Sequence, residues 1–302
     1  MTNINFELYK VFYHVAANLS FSVAAEKLFI SQSAVSQAIR QLESQLRCRL
    51  FSRTTKQVQL TREGQLLFEY VEQAFNFIKT GERSLVQIHS LLQGEIRIGA
   101  SDTICKHFLL PYLKEYNRLY PQIRINVINR TSPQCIELLR KGQVDVSIVN
   151  IPSAVKFHNL SVRPLSLIHD VFIAGNNFAH LKQSTLSAAD LQAYPLMVLE
   201  KDTVSRDYFD AYFARHGLKI TPEFELSSID LLVELAKIGL GIAFVSKEYI
   251  SRELAAGDVF VLPVQDPLPP RYIGVLTHNN IGLPVAAQKF IELLPQTIET
   301  IN

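Results

Sequence analysis

The hydrophobic positions of residues 31–46, SQSAVSQAIRQLESQL, fall on one stripe. Val35, Ile39, Leu42 and Leu46 recur at spacings of four, three and four, the period of one helix face. The opposite face carries Ser33, Gln37, Arg40 and Ser44, with Gln32, Ser36 and Gln41 beside it. Ser31 stands where an N-cap hydroxyl accepts from a first-turn N–H. Upstream, Phe6, Tyr9 or Lys10, Tyr13 and Ala17 keep helical spacing over residues 5–17, and Ser22 reads as the N-cap of a short second helix, VAAEKLF. Ala24 and Ala25 are small enough for two helices to approach closely. The short connector Phe29-Ile30-Ser31-Gln32 makes the unit a helix-turn-helix. Two β-type runs, RLFSR and QVQL, flank Thr54-Thr55-Lys56 and predict a winged hairpin with Arg53 and Lys56 near its tip.

Thr61 is placed to cap the next helix, with Glu63 in its first turn. Leu67, Val71, Ala74, Ile78, Gly81, Leu85, Ile88 and Leu92 then repeat at spacings of four and three. That 3.5-residue period is the coiled-coil pattern and predicts a dimer contact. A helix over residues 64–92 spans about 40 Å at ~1.5 Å per residue. Gly81 is its weak point, the expected mark of a bend or a close crossing.

Residues 93–302 alternate strand and helix patterns. EIRIGAS, IRINVIN and VDVSIVN read as strands, with a helix opened by Ser132 as N-cap and Pro133 as N1 between the last two. The pattern restarts at DVFIAG and continues through PLMVL, EFEL, GIAFV, VFVLPV and YIGVLTH, with helices between. Such alternation implies parallel sheets with covered faces. Two α/β lobes imply a cleft between them, where a small ligand sits outside the carboxyl ends of the strands.

Composition narrows the class. With 48% of its 302 residues hydrophobic, the chain can bury large cores. Residues 1–60 hold seven Lys/Arg against three Glu, a net of +4, which leaves −2 for the rest of a chain whose overall charge is +2. A basic N-terminal fifth on a faintly acidic body points to an anionic partner for that fifth alone. Cys48, Cys105 and Cys135 form no C-x-x-C pair and no zinc spacing, so they read as core thiols of a reducing compartment. The first residues do not form a signal peptide and no run of about 18 apolar residues occurs. The expectation is a soluble cytoplasmic protein with no metal and no cofactor.

These features carry a resemblance. SVAAEKLFISQSAVSQAIRQLESQL, followed by RLFSR and LTREG, resembles the LysR-type transcriptional regulators, and the likeness runs on through the linker helix and the body. One departure is Arg47, where that family has Gly after the recognition helix; it implies a strained C-cap or an added phosphate contact. The resemblance implies two periplasmic-binding-protein-like lobes with crossovers near Pro164-Leu165 and Asp266-Pro267. The division expected is a winged helix-turn-helix DNA-binding domain over 1–62, a linker helix over 63–92, lobe I from 93–165 and 267–302, and lobe II from 166–266. It also implies a homodimer through the linker, a tetramer, and RNA polymerase as a further partner.

Gln bonds adenine in a bidentate pair, Arg does the same to guanine, and Ser reaches base edges or phosphate. By resemblance Gln32, Ser33, Ser36 and Gln37 contact bases or backbone. The helical face adds Arg40, Ser22 belongs to the same unit, and Arg53 and Lys56 meet phosphate. In the body, the strand ends carry Ser101, Asp102, Thr103, Thr131, Ser132, Asn150, Thr203, Ser205, Arg206, Ser227 and Ser228. Hydroxyls beside helix N-termini suit a small carboxylate, an amino acid or an oxyanion. Any one of them taken alone is a helix cap. Their recurrence argues for a site, and Ser101, Thr103, Thr131 and Ser205 match the family's effector positions. Asp102 suits a purely anionic ligand only if it turns away or pairs with Lys106 or Arg206.

Two other classes fit part of this pattern. A non-specific chromosome-coating protein needs more cation than the +4 head supplies and has no use for a cleft. An enzyme fused to a helix-turn-helix needs a catalytic motif. The chain lacks G-x-x-x-x-G-K, G-x-S-x-G and H-E-x-x-H, and Gly239-Leu240-Gly241 precedes a strand instead of following one. The expected function is therefore sequence-specific transcriptional regulation controlled by a small effector, with no catalytic residues.

Overall fold

A computed structural model describes residues 4–53, 57–89, 94–151, 157–279, 281–296 and 299–300. The chain divides into two units, Met1–Gly81 and Glu82–Asn302, with the division inside one long helix.

The first unit opens with α1 (Phe6–Asn18), whose Asn5 cap accepts from the Glu7 N–H at 3.0 Å. Then come α2 (Phe21–Leu28) and α3 (Gln32–Leu46). Ser20, not Ser22, caps α2: its Oγ accepts from Val23 N–H at 3.3 Å. Phe21 is buried against Phe51, which fixes it as the first helical residue and leaves Ser22 exposed on the helix. The stripe on α3 is its buried side. Val35, Ile39 and Leu42 are fully enclosed with Phe12, Val15 and Ala24, and Leu46 packs at the edge. Antiparallel β1 (Phe51–Arg53) and β2 (Val58–Leu60) follow, with Phe51 opposite Leu60. The side chain of Arg53 and all of Thr54-Thr55-Lys56 lie outside the described residues.

Thr61 caps α4 (Arg62–His89), accepting from Gly64 N–H at 2.9 Å. The 28 residues of α4 run about 42 Å at 1.5 Å per residue. The expected seam divides. Leu67, Val71, Phe68 and Phe75 pack on the helix-turn-helix core. Leu66, Tyr70, Ala74, Ile78, Gly81 and Leu85 form an exposed row at helical spacing. A Cβ on Gly81 would meet nothing within 4 Å among the described residues, so no close crossing inside this chain explains the glycine. The side chain of Ile88, and Leu92 entirely, lie outside the described residues.

The second unit begins with β3 (Gly94–Ala100). Next, α5 (Asp102–Ile104) runs through a π-helical turn, Cys105–Leu109, into α6 (Leu110–Leu119). β4 (Ile123–Asn129), α7 (Ser132–Arg140), β5 (Val146–Ile151) and β6 (Leu160–Ile168) complete the first half of one lobe. The other lobe contains β7 (Asp170–Gly175), α8 (Ala188–Leu191), β8 (Leu196–Leu199) and α9 (Val204–Arg215). It continues with β9 (Phe224–Leu226), α10 (Ile229–Lys237), β10 (Ile242–Ser246), α11 (Ser251–Ala256) and β11 (Val259–Val261). The chain then returns as β12 (Arg271–His278), α12 (Val285–Leu293) and β13 (Glu299–Thr300).

The strands form a six-stranded sheet, β13-β6-β12-β5-β3-β4, and a five-stranded sheet, β11-β7-β10-β8-β9. The expectation of parallel sheets is corrected: both are mixed. β12 is antiparallel to β5 and β6, and β7 is antiparallel to β10 and β11. The reversed strands are β7 and β12, the first strand of the sheet entered after each passage between lobes. The first passage also moves. β6 runs through Pro164-Leu165 and stays in the six-stranded sheet to Ile168, with a register shift where Pro164 faces Gly274. That irregularity is where a strand tolerates a residue with no N–H. The return lies between Val264, which bridges to Leu186 in the second lobe, and Arg271. No helix among the described residues is long and apolar enough to cross a membrane.

Candidate functional sites

Two sites emerge, one in each unit. In the first, Ser31 Oγ accepts from Ala34 N–H at 3.2 Å and lies 2.8 Å from Ser33 Oγ, which fixes the start of α3. Gln32, Ser33, Gln37 and Arg40 are exposed on one side of that helix, Ser36 is half-buried beside them, and Ser22 is exposed on α2. Among the described residues, the side chains of Gln32, Gln37 and Arg40 make no internal hydrogen bond, and all three are exposed. The turn before α3 holds Phe29 at φ 56° with 93% of its surface exposed. Charge and hydrogen-bond arguments did not single out this exposed aromatic beside the helix N-terminus.

Behind this face, Glu43 accepts from the Leu50 N–H at 2.8 Å and the Phe51 N–H at 3.3 Å, which ties α3 to the first wing strand. Arg47 ends α3 in the left-handed region, φ 55° and ψ 30°, and its N–H reaches the Glu43 and Ser44 carbonyls. The strained C-cap is therefore real. A concavity of about 680 Å³ beside it is lined by Arg40, Arg47 and Arg49, all exposed. Arg49 was not singled out because it sits within an apolar β-type run.

In the second unit, a cavity of about 220 Å³ lies between the two sheets at the ends of their strands. Volume at roughly 30 Å³ per water sets its capacity at about seven waters, a ligand of a few heavy atoms. Nine of the eleven expected residues line it. Ser101, Asp102 and Thr103 come from the end of β3, Thr131 and Ser132 from the start of α7, and Asn150 from β5. Thr203, Ser205 and Ser227 come from the other lobe. The sequence reading missed Asn129, Arg130, Glu200 and Tyr249, which line the same cavity. Tyr249 follows β10 in a 3-10 turn and had no strand-end hydroxyl pattern to signal it.

The other two are corrected. Arg206 turns back along α9, with Nε 3.0 Å from Asp210 Oδ1 and Nη1 2.9 Å from Glu225 Oε2. Ser228 caps α10 by accepting from Leu231 N–H at 3.4 Å and does not line the cavity. Ser132 is not the N-cap either. Thr131 holds that position, and the buried Ser132 Oγ accepts from Asn150 N–H at 3.0 Å.

Capping accounts for some of the hydroxyls. Ser101 accepts from Ile104 N–H at 3.4 Å, and Thr203 from Arg206 N–H at 3.2 Å. It does not account for Thr131, which makes no side-chain cap bond and whose Oγ1 is buried without a partner. Asn150 Oδ1 and Tyr249 OH are likewise buried and unpartnered on the cavity wall. Three residues of one cavity wall thus each hold a buried polar atom that no protein group satisfies. Burial pushes the Tyr249 hydroxyl well above the ordinary phenol range, so it stays protonated and able to donate. Helices α7, α9 and α10 all begin at this cavity, directing partial positive charge into it. Asp102 pairs with neither Lys106 nor Arg206; its nearest partner is Asn129 Nδ2 at 3.4 Å. The wall thus offers carboxylates, at Asp102 and Glu200, as well as donors.

Burial, then the charge of Asp102, raises the Cys105 thiol to about 11, and burial raises Cys135 to about 12. Thiols so held lack the thiolate character of a reactive cysteine. No cluster of three or more His, Cys, Asp or Glu among the described residues would hold a metal ion. A larger groove of about 710 Å³ lies beside the passages between lobes, lined by Phe172, Leu254, Leu262 and Leu268. The His169–Glu248 pair on its wall, at 2.7 Å, is already satisfied.

Comparisons with known proteins agree across the whole length. Residues 6–65 match the bacterial regulatory helix-turn-helix protein, lysR family, and residues 89–299 match the LysR substrate binding domain. A probable RuBisCO transcriptional regulator of Trichormus variabilis is 29% identical over 293 residues, covering 93% of this chain and 85% of that protein. The HTH-type transcriptional regulator CysL of Bacillus subtilis is 26% identical over 261 residues, covering 86% and 87%. Among solved structures, a full-length OxyR variant from Pseudomonas aeruginosa shares the fold with a TM-score of 0.68 at 20% identity, covering 97% of this chain and 95% of that one. CbnR, a LysR family transcriptional regulator, shares it with a TM-score of 0.60 at 16% identity, covering 96% and 98%.

Proposed function

The chain belongs to the LysR family of transcriptional regulators, and from that premise we propose how its two sites divide the work. The protein is a DNA-binding regulator with an effector-binding domain. Paired α3 helices read half-sites in successive major grooves, ~34–36 Å apart or a multiple of it. Gln32, Ser33, Ser36, Gln37 and Arg40 face the base edges and adjacent backbone. Arg53 and Lys56 on the wing, with Ser22 on α2, meet phosphate. The absence of internal partners for Gln32, Gln37 and Arg40 among the described residues supports this reading.

Homodimers form through α4. The exposed row Leu66, Tyr70, Ala74, Ile78, Gly81 and Leu85 supports a second copy as its cover, because such a row gains by leaving water. Dimers pair into a tetramer in the cytoplasm, and RNA polymerase is the downstream partner. Residues 1–62 bind DNA, 63–92 link, and lobes I and II divide near residue 168 and again between 264 and 271.

The effector occupies the cavity of Ser101, Thr131 and Tyr249. The observation that carries this is the Thr131 hydroxyl, which belongs to a cavity-lining residue, is buried without a partner and is not used as a cap. A small carboxylate, an amino acid or an oxyanion fits the donors. Asp102 and Glu200 favour the amino acid, whose ammonium they would meet. Occupancy biases the two lobes and so the arrangement of subunits on DNA.

The test is footprinting of the full chain on DNA selected from a random pool, with and without a panel of such ligands. A ligand that alters the protected length for the wild type, but not for Thr131→Ala, supports the reading. A shift retained by Thr131→Ala removes this cavity as the effector site. Protection of random and selected DNA alike would restore the chromosome-coating alternative.

A further inference from the structure

Arg271 opens β12 and is 1% exposed. Its guanidinium donates Nε to Asp170 Oδ2 at 2.6 Å and Nη2 to Asp170 Oδ1 at 2.8 Å. Asp170 opens β7, two residues after the end of β6. The chain passes from one lobe to the other at His169 and is back by Arg271, so one buried ion pair joins both passages. Nη2 reaches two further acceptors, Ser205 Oγ at 2.8 Å and Ser246 Oγ at 3.1 Å. Ser246 sends its own proton to Asp170 Oδ1 at 2.9 Å.

A guanidinium has donors and no acceptor. Ser205 Oγ therefore accepts from Arg271, and the Ser205 proton must go elsewhere. Among the described residues no acceptor takes it, and Ser205 lies on the wall of the effector cavity. We propose that Arg271 is a positioning residue: it sets Ser205 as a hydrogen-bond donor to an acceptor oxygen of the ligand, and through Asp170 carries that contact to both passages between the lobes. The inference rests on the cavity being the effector site. The acceptor oxygen is a carboxylate or an inorganic oxyanion, since each presents an anionic oxygen of the same kind.

Stability alone does not call for this arrangement. A buried ion pair loses hydration, and an apolar replacement of the same shape often leaves a fold no weaker. The network does something an apolar core would not. It fixes the polarity of one cavity hydroxyl, and consecutive bonds from Asp170 through Arg271 to Ser205 polarise one another. Three acceptors share the two Nη2 protons, so a ligand that draws on Ser205 redistributes bonds among Asp170 and Ser246 as well. Tyr249, a residue 5% exposed whose hydroxyl is buried and unpartnered, brings a second donor to the same wall.

The experiment uses the full chain as wild type, Ser205→Ala, Arg271→Lys and the double variant. Calorimetric titration is run with sodium sulfate in one arm and L-alanine in the other, which separates an inorganic oxyanion from a carboxylate. The arm that binds wild type should lose about tenfold in affinity in Ser205→Ala, the worth of one charge-linked hydrogen bond. Arg271→Lys, which keeps the charge and loses the fork, should lose the same, and the double variant no more than either. Unchanged affinity in Arg271→Lys, or losses that multiply in the double variant, would overturn the proposal.

Amide hydrogen exchange of unliganded Ser205→Ala provides a second readout, needed if Arg271→Lys does not fold or if neither arm binds. Faster exchange at residues 171–173 and 272–274 supports the link to the passages, and exchange equal to wild type overturns it. A wild type silent in both arms counts against the ligand classes given for the cavity, and the exchange result still decides the role of Arg271.

Discussion

Lys106 Nζ and Asp230 Oδ1 meet at 2.7 Å, joining the helix after β3 to the N-terminus of α10. The pair bridges the two lobes beside the cavity, since Thr103 and Ile229 on either side line it. Both side chains are half exposed, so solvent screens the attraction and its worth is no more than about 1 kcal/mol. Lys106→Ala should barely move the denaturation midpoint yet loosen the lobes. The check is amide exchange around residues 101–104 and 229–232, which should quicken in the variant and in wild type at high salt. Exchange indifferent to both would mean the pair does not hold the lobes.

Glu43 ties recognition helix to wing through the Leu50 and Phe51 N–H groups. Glu43→Ala leaves the buried Leu50 N–H without its acceptor, which costs about 1–3 kcal/mol. Chemical denaturation should show that loss in the N-terminal unit, and DNA affinity should fall with it. Glu43→Gln keeps an acceptor oxygen and should lose less.

Arg47 holds a left-handed φ of 55°, a conformation that costs a residue with a Cβ roughly 1–2 kcal/mol. Arg47→Gly should therefore stabilise the N-terminal unit by about 1 kcal/mol. If Arg47 also meets phosphate, the same variant binds DNA more weakly, with its salt dependence reduced by about 0.9 in the log–log slope. Greater stability without any change in slope would leave Arg47 a strained cap and nothing more.

Two histidines give opposite pH dependences. Burial, reinforced by Lys106, holds His107 below its ordinary value against the opposing pull of Asp230, Glu253 and Asp102. The fold favours the neutral ring, so its stability is intact above about 6.5 and declines as pH falls from there toward the lowered folded value. His14 acts in the same direction through burial and nearby lysines. The Tyr212 carbonyl, then Asp266, raise His216. Its contribution is present below about 6.5 and is lost as pH rises through the raised folded value. His107→Gln should flatten the acid side of a stability–pH curve and His216→Gln the neutral side. Slopes unchanged in either variant would remove that histidine from the account.

The helix-turn-helix was legible because a stripe at helical spacing has one use in a small domain. Val35, Ile39 and Leu42 had to face inward, and the polar side of α3 followed from that. The two lobes were legible from alternating strand and helix patterns, but strand direction was not, because hydrophobic runs look alike whichever way the chain enters a sheet. β6 was hidden by Pro164, which reads as a strand ending until its partner Gly274 shows the register shift. Ser20 and Ser22 flank Phe21, and only the burial of Phe21 decides between them. Arg206 read as a cavity cation although Asp210 stands one helical turn along, because Glu225, its second partner, lies on another element far along the chain. Tyr249 was unreadable: an aromatic after an apolar strand is ordinary core until its hydroxyl is found without a partner.

The central claim is that the cavity of Thr131 and Tyr249 receives the effector. A thermal-shift screen of the full chain against small amino acids, carboxylates and oxyanions tests it most directly. A ligand at ~100 times its Kd stabilises the native state by about 2.7 kcal/mol. The account predicts such a hit, lost in Thr131→Ala and weakened in Tyr249→Phe while both variants melt as wild type without ligand. A hit that persists undiminished in both variants would place the ligand elsewhere and contradict the account.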